Sequence, residues 1–448
     1  MDAPWGVRAF ERQYREWLTS RRLRHNGGFD MEDENNWLVG VDWASQTHHV
    51  RLSDAKGAKI GERAFAHGGE GLKEMADWIL KSTGAAPEAV MVAIEVPHGP
   101  VVESLMERGF QVYTINPKQL DRFRDRFSPA GAKDDSRDAE ALADARRTDR
   151  RCFRLLAPLD PVVVELREWS RIADDLRVER NRLSNRVREL LWRYYPQFLE
   201  LSDDFAADWF LDLWRLIPTP DKAKRVRETT VERLLKRHRI RRITAAEALE
   251  RLRAPSIPVA AGTVSAATGH LEAVARRLAL VNRQISEANC KIDRLTASLA
   301  GGEEPAEGQR EEQRDLTILR SLPGVGRIVL ATLLAEAQDA LQRRDYHALR
   351  CLSGVAPITK RSGKSKIVLM RQAAHVRLRN AVYHWARTAV QHDPRSRAKY
   401  TALRARGHGH GRALRSVADR LLAVACAMLE SRTFFNPNLS IEITSHSA

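Results

Sequence analysis

Four carboxylates and one hydroxyl are placed where they could do chemistry. Asp42 follows the apolar run WLVGV, and Glu95 closes a second apolar run, VMVAI. Asp135 and Asp138 lie three apart, so on a helix both project from one face. If these acids converge, they offer only hard oxygen donors, the ligands Mg2+ prefers, with phosphate oxygens completing the shell. Two such ions about 4 Å apart stabilise both the attacking and the leaving oxygen of a phosphoryl transfer. Ser362 stands between Arg361 and Gly363, with Lys364 and Lys366 following. A hydroxyl in a basic, glycine-softened turn is a candidate nucleophile toward a polyanion, although Ser-Gly is also a common loop dipeptide. Each acid alone has an ordinary reading too, since Asp134, Asp135 and Asp138 all suit a helix N-terminus. The joint placement favours metal: an acid after each of two apolar strands, plus an i, i+3 pair.

The elements that must position these acids are legible from periodicity. WLVGVDWA, HHVRLSDA and KIGERAFA read as three successive strands, with DAKGAK as a hairpin turn. A helix (GLKEMADWILKS), a buried strand (AVMVAIEV), a helix, a strand (FQVYTIN) and a helix opened by Pro117 follow, then a last helix from about Asp134 to Arg147. A three-strand meander followed by alternating helix and strand is the order of a ribonuclease-H-like α/β sheet. A dinucleotide-binding fold is excluded, because no GxGxxG follows the first strand.

Two long helices are expected at 160–200 and 263–300. In the second, Leu271, Val274, Leu278, Val281, Ile285, Ala288, Ile292, Leu295 and Leu299 keep steps of three and four. That is a coiled-coil seam, expected to join protomers into a dimer or tetramer, with antiparallel packing inside one chain as the alternative. Between the helices lies a basic insert near 220–260, suited to phosphate contacts. From about Leu316 the chain reads as mainly helical. LPGVGRIVLATLLAE has the form of a helix-hairpin-helix turn, in which Gly324 and Gly326 permit a tight loop and the next helix directs free N–H groups at a phosphate.

Composition points to the same partner. The 448 residues carry 74 Lys and Arg against 58 Asp and Glu, a formal charge of +16 that favours nucleic acid. Residues 361–420 hold fifteen Lys or Arg and only Asp393 and Asp419 as acids. No apolar run approaches the ~18 residues of a membrane span. Cys152, Cys290, Cys351 and Cys426 form no CxxC pair, which argues against zinc or disulfides and fits a reducing cytoplasm.

The stretches VGVDWAS, AIEVPHGPVVESLMERGFQVYTINPKQLDRFR and AKDDSRDAEALAD resemble the amino-terminal domain of the DEDD transposases of insertion-sequence family 110, relatives of the Piv-type DNA invertases. LPGVGRIVLATLLAE and LRCLSGVAPITKRSGKSK resemble that family's carboxy-terminal domain. The resemblance implies a RuvC-like DEDD domain (37–157), coiled-coil helices (158–315) and a helical serine-bearing transposase domain (316–448); the charged, poorly periodic N-terminal extension (1–36) and the basic insert near 220–260 lengthen the chain beyond the family's pattern. It implies a Mg2+-bound tetrad of Asp42, Glu95, Asp135 and Asp138, with Ser362 as nucleophile. It also implies donor and target DNA as substrates, chosen by a structured bridge RNA in a bacterial cell. Arg361, Lys364 and Lys366 would offset phosphate charge. Asp134 departs from the family pattern and opens a frame-shifted tetrad; Asp138-Ala139 fixes the register on Asp135. The tetrad and Ser362 fall in different domains, so this reading expects a composite site.

Two other readings stay open at this stage. One is a RuvC-type, structure-selective nuclease in which Ser362 is a turn residue. The other is a non-enzymatic basic coiled-coil protein that binds nucleic acid.

Overall fold

A computed structural model describes residues 37–127, 134–156, 160–300, 315–363 and 365–437. The expected N-terminal extension and Lys364 lie outside the described residues. The chain divides into two compact units, with the break between Pro158 and Leu159.

The first unit is a six-stranded mixed sheet in the order β3-β2-β1-β4-β5-β6. Strands β1 (Trp37–Asp42), β2 (Thr47–Ser53) and β3 (Lys59–Ala66) form the antiparallel meander. Helix α1 (Gly69–Thr83) leads to β4 (Val90–Ile94), which pairs parallel with β1, and α2 (Pro100–Glu107) leads to β5 (Gln111–Thr114), parallel with β4. Helices α3 (Pro117–Phe127) and α4 (Asp135–Thr148) follow, and β6 (Arg154–Leu155) pairs antiparallel with β5. Every strand and helix read from the sequence in this unit is present; β6, only two residues long, was not foreseen. Strands β1 and β4 are central and covered on both faces, hence their near-continuous apolar runs. One face packs Val39, Val41, Val50, Val92 and Ile94 against α1 and α2. The other packs Ala93 against Leu120, Ala141 and Leu142 of α3 and α4.

Among its described residues the second unit is helical apart from one hairpin. Its two longest helices are α5 (Pro161–Tyr194) and, after the short helices α6 (Asp208–Leu216), α7 (Pro220–Arg225), α8 (Glu228–Arg237) and α9 (Ala245–Leu252), α10 (Ala261–Ala300). Helices α5 and α10 run antiparallel: Arg177 donates to Asn289 at 3.0 Å and Arg180 to Asn282 at 2.8 Å, so one chain number rises as the other falls. Of the two packings expected for the α10 seam, the structure shows the antiparallel one inside a single chain. Leu271, Val274, Leu278 and Val281 are buried against Leu183, Val187 and Leu190 of α5 and against α6 to α9, while Ala288 and Ile292 are buried with Leu166 and Ala173. Most of the seam is covered by its own chain, with Ile285, Leu295 and Leu299 half-buried. The basic insert forms α7 to α9, whose Ala223, Val231, Leu235 and Leu249 close the same core. Its Lys222, Arg225, Lys236 and Arg241 stay exposed.

The C-terminal part comprises α11 (Asp315–Ser321), α12 (Arg327–Glu336), α13 (Gln338–Gln342), α14 (Tyr346–Leu352), the hairpin β7–β8 (Ile358–Ser362, Ser365–Leu369), α15 (Val376–His392), α16 (Pro394–Ala405) and α17 (His410–Ser431). Its core gathers Leu319, Leu330, Val382, Trp385, Leu414 and Leu421. Arg171 on α5 grips the buried Glu336 carboxylate at the end of α12 with two donors, at 2.9 and 3.0 Å. That bidentate pair ties the long helices to this part.

Candidate metal and nucleophile sites

Asp42 is the last residue of β1, and Glu95 comes directly after β4. The parallel register aligns Val41 with Ile94, so the two acids leave neighbouring strands at the same, carboxyl end of the sheet. The backbone of Glu95 is held there by Thr114, whose hydroxyl donates to the Glu95 carbonyl at 3.2 Å. After Asp42 the chain turns under a second restraint, the Ala44 amide donating to Nδ1 of buried His48 at 3.4 Å.

Helix α4 brings the remaining acids. Asp134 is its N-cap and accepts from the Ser136 amide at 3.2 Å. Its carboxylate is therefore engaged in capping, and Asp135 and Asp138 lie in the first turn. Arg51 on β2 pins the helix to the sheet, donating to Glu140 at 2.9 Å and to Glu62 at 3.1 Å. Asp138 is buried; Asp135 is exposed, with His49 Nε2 3.7 Å from its Oδ2. His49 is also the cross-strand partner of Asp42.

The acids sense one another. Burial, then the charges of Asp138, Asp135 and Glu95, push the Asp42 carboxyl up to about 6, with Arg124 opposing the shift. The principal residue absent from the sequence reading is that arginine. From α3 it places Nε 2.6 Å and Nη2 2.9 Å from the two Asp138 oxygens, with Glu95 Oε2 at 3.8 Å and Asp121 Oδ1 at 2.7 Å from Nη1. Arg124 stands in DRFRDRF among several cations, and nothing in that string marks which one turns toward the sheet.

Among the described residues, no three His, Cys, Asp or Glu side chains close on a common point as a ready metal shell. The donor chemistry nonetheless fits a divalent cation. The donors are all oxygen: Asp42 is held above its ordinary range first by burial and then by the charges of Asp138, Asp135 and Glu95, and the Arg124 guanidinium lies across Asp138 and Glu95.

Ser362 ends β7. It pairs with Ser365, and Arg361 pairs with Lys366, both cations being exposed. Gly363 takes φ +54°, the left-handed conformation a two-residue hairpin loop requires. The turn expected around Ser362 is thus the tip of a hairpin, and its strands were not foreseen within a mainly helical region. Apart from half-buried Ile358, both strands are exposed on both faces, including Ile367, Val368 and Leu369. Without a buried face they show no alternation to read.

The two glycines of the expected phosphate loop differ. Gly324 has φ +81°, and a Cβ there would meet the Ala389 amide nitrogen at 2.8 Å, so it serves packing against α15. Gly326 is the exposed N-cap of α12, with open space around it and no side-chain cap on the helix.

A sheet with acids at the carboxyl ends of adjacent parallel strands, joined to a basic helical unit, defines a nucleic-acid-processing class. Residues 39–196 match the IS110 DEDD transposase family, described as a transposase, and residues 316–401 match the transposase family of IS116, IS110 and IS902. A Sinorhizobium fredii protein bearing the transposase name y4uE is 62% identical over 253 residues, 55% of this chain and 70% of that protein. The IS117 mini-circle protein of Streptomyces coelicolor is 31% identical over 417 residues, 90% of this chain and 96% of that protein. An IS110 protein of 43.6 kDa from the same species is 27% identical over 420 residues, 92% and 98% of the two chains. The chain belongs to the IS110 family of transposases, enzymes that cut and rejoin DNA. Among the described residues no helix is long and apolar enough to cross a membrane.

Proposed function

We propose that this transposase is an RNA-guided DNA recombinase with a RuvC-like catalytic domain, a Mg2+-holding tetrad of Asp42, Glu95, Asp135 and Asp138, and Ser362 as nucleophile. One observation carries the reading: Asp42 and Glu95 share the carboxyl end of two adjacent parallel strands, and burial together with the charges of Asp138, Asp135 and Glu95 raises the Asp42 carboxyl to about 6. Mutual repulsion of that kind is relieved by a bound cation, which is what a metal-holding set requires. Bound Mg2+ would polarise phosphate oxygens and stabilise developing charge.

The chain's own residues divide the remaining work. Asp42 and Glu95 are held by strand ends, and Asp138 by a buried helix turn, so their oxygens are positioned before substrate arrives. The Ser362 hydroxyl is exposed on a hairpin tip with Arg361 and Lys366 beside it to attract phosphate. Attack by its oxygen on phosphorus forms one P–O bond and releases the other strand end as a hydroxyl. The ester left behind can be attacked in reverse by a new strand end, which suits exchange better than hydrolysis. Exposed cations of α7 to α9 and the open N-terminus of α12 at Gly326 offer surfaces for the phosphates of DNA and guide RNA. A homo-oligomer remains part of the proposal, assembled through surfaces other than the α10 seam.

The deciding experiment uses a suicide DNA substrate with Mg2+ and the copurifying RNA. A denaturation-resistant DNA adduct on the peptide containing Ser362 is expected. Cleavage without any adduct would favour the water-driven nuclease. Sequencing the copurified nucleic acid tests the guide: a random RNA mixture would remove that part of the reading.

A further inference from the structure

We propose that Arg124 is the resident counter-ion of the acidic site and competes with the divalent cation for it. Loading the site then requires the guanidinium to leave Asp138 and Glu95. The inference rests on the tetrad being the metal-holding set.

Three features of the contact support a yielding partner rather than a fixed structural pair. First, the positive guanidinium lies against the buried Asp138 carboxylate, so while they touch, a cation of the protein's own occupies one of the acids. Second, the fit is imperfect. A fixed arginine–carboxylate pair presents two parallel N–H bonds. Here Nη2 makes the hydrogen bond to Asp138, while Nε, although 2.6 Å from the other oxygen, is buried without a properly directed acceptor. Third, an alternative perch already exists. Nη1 donates at 2.7 Å to Asp121, one turn earlier on α3 and exposed. Rotation about the arginine side chain would keep that contact and vacate Asp138.

A cation that must be displaced weakens the apparent affinity of the one that displaces it. It also keeps the four carboxylates from repelling one another before metal arrives. The test is a Mg2+ and a Mn2+ titration of the full chain by thermal melting, begun in chelator, without DNA and therefore independent of activity. Arg124→Gln should melt below wild type in chelator and reach half-maximal metal stabilisation at roughly tenfold lower concentration, within the usual range of coupling between competing groups. Arg124→Lys keeps the charge and loses the fork, and should fall between the two; it decides the matter alone if the Gln variant does not fold. A half-maximal concentration in the variants equal to or above wild type overturns the proposal. If the metal response of wild type vanishes in Asp42→Asn while Arg124→Gln binds no tighter, the tetrad stands and the counter-ion role falls. If wild type shows no metal response at all, both fall together.

Discussion

The carbonyl oxygen of Ala139 lies 1.9 Å from where a Cβ on Gly40 would be, and the Ala143 amide nitrogen 2.8 Å from it. Helix α4 therefore crosses β1 at backbone contact, and only glycine permits it. Gly40 is two residues from Asp42, and Ala139 is next to Asp138. The same contact that packs the helix sets the spacing of the two acids.

Gly40→Ala should consequently lift α4 from the sheet. The cost expected for overpacking at backbone contact is about 1–3 kcal/mol. Cleavage should fall further than stability does, because Asp138 moves with the helix. Urea denaturation alongside a cleavage assay checks this; a variant that is stable and fully active would show that the α4 spacing does not matter.

Asp42 gives a signed pH dependence. Its folded carboxyl titrates at about 6 against an ordinary 3.8, so at neutral pH the fold carries a charge that the unfolded chain carries more easily. As pH falls from 6 toward 4, the folded state takes up the proton first and stability rises. In chelator at pH 7.5, Asp42→Asn should then be more stable than wild type, by on the order of 1 kcal/mol after allowance for partial exposure. The advantage should vanish near pH 4, and DNA cleavage should be lost throughout. Calorimetry at the two pH values is the check, and a destabilised variant at pH 7.5 would contradict the repulsion.

Asp134→Ala separates capping from chemistry. Loss of the Ser136 contact should cost about 1 kcal/mol of stability with cleavage retained. Activity as low as that of Asp42→Asn would mean the tetrad is shifted by one residue.

Ser362→Ala should leave folding and nucleic-acid binding intact, since the hydroxyl is exposed and has no hydrogen-bond partner among the described residues. Strand exchange should drop to background, together with the covalent adduct. Recombination near the wild-type rate would rule out this serine.

Burial of the α10 seam predicts a stability phenotype. Ile292→Glu puts a charge among Leu166, Ala173 and Ala288 and should destabilise by about 3 kcal/mol or more. Leu280→Glu, on the exposed side of the same helix, should be nearly neutral in melting. Sedimentation of both distinguishes the surfaces. A smaller, still well-folded species from Ile292→Glu would restore the seam to the oligomer interface.

Local periodicity determined most of the first unit. Apolar runs such as WLVGV and VMVAI bound β1 and β4 because a central strand buries both faces, and the acids that follow them are visible as punctuation. Asp135 and Asp138 were readable as a pair because helical spacing is a property of the chain alone. The heptad stripe of α10 was readable for the same reason, but its partner was not: an apolar stripe is equally satisfied by another protomer or by α5, and only packing chose α5. The hairpin bearing Ser362 went unseen because neither of its faces is buried, so no alternation marks it. Arg124 is the sharpest case. Its contact with Asp138 needs α3 and α4 to lie on the same face of the sheet, and its contact with Glu95 needs α3 to pack over β4. Residue type and spacing determined which charges this protein carries and which elements hold them; tertiary structure alone decided which charges face one another, because electrostatic energy depends on distance in space and not along the chain.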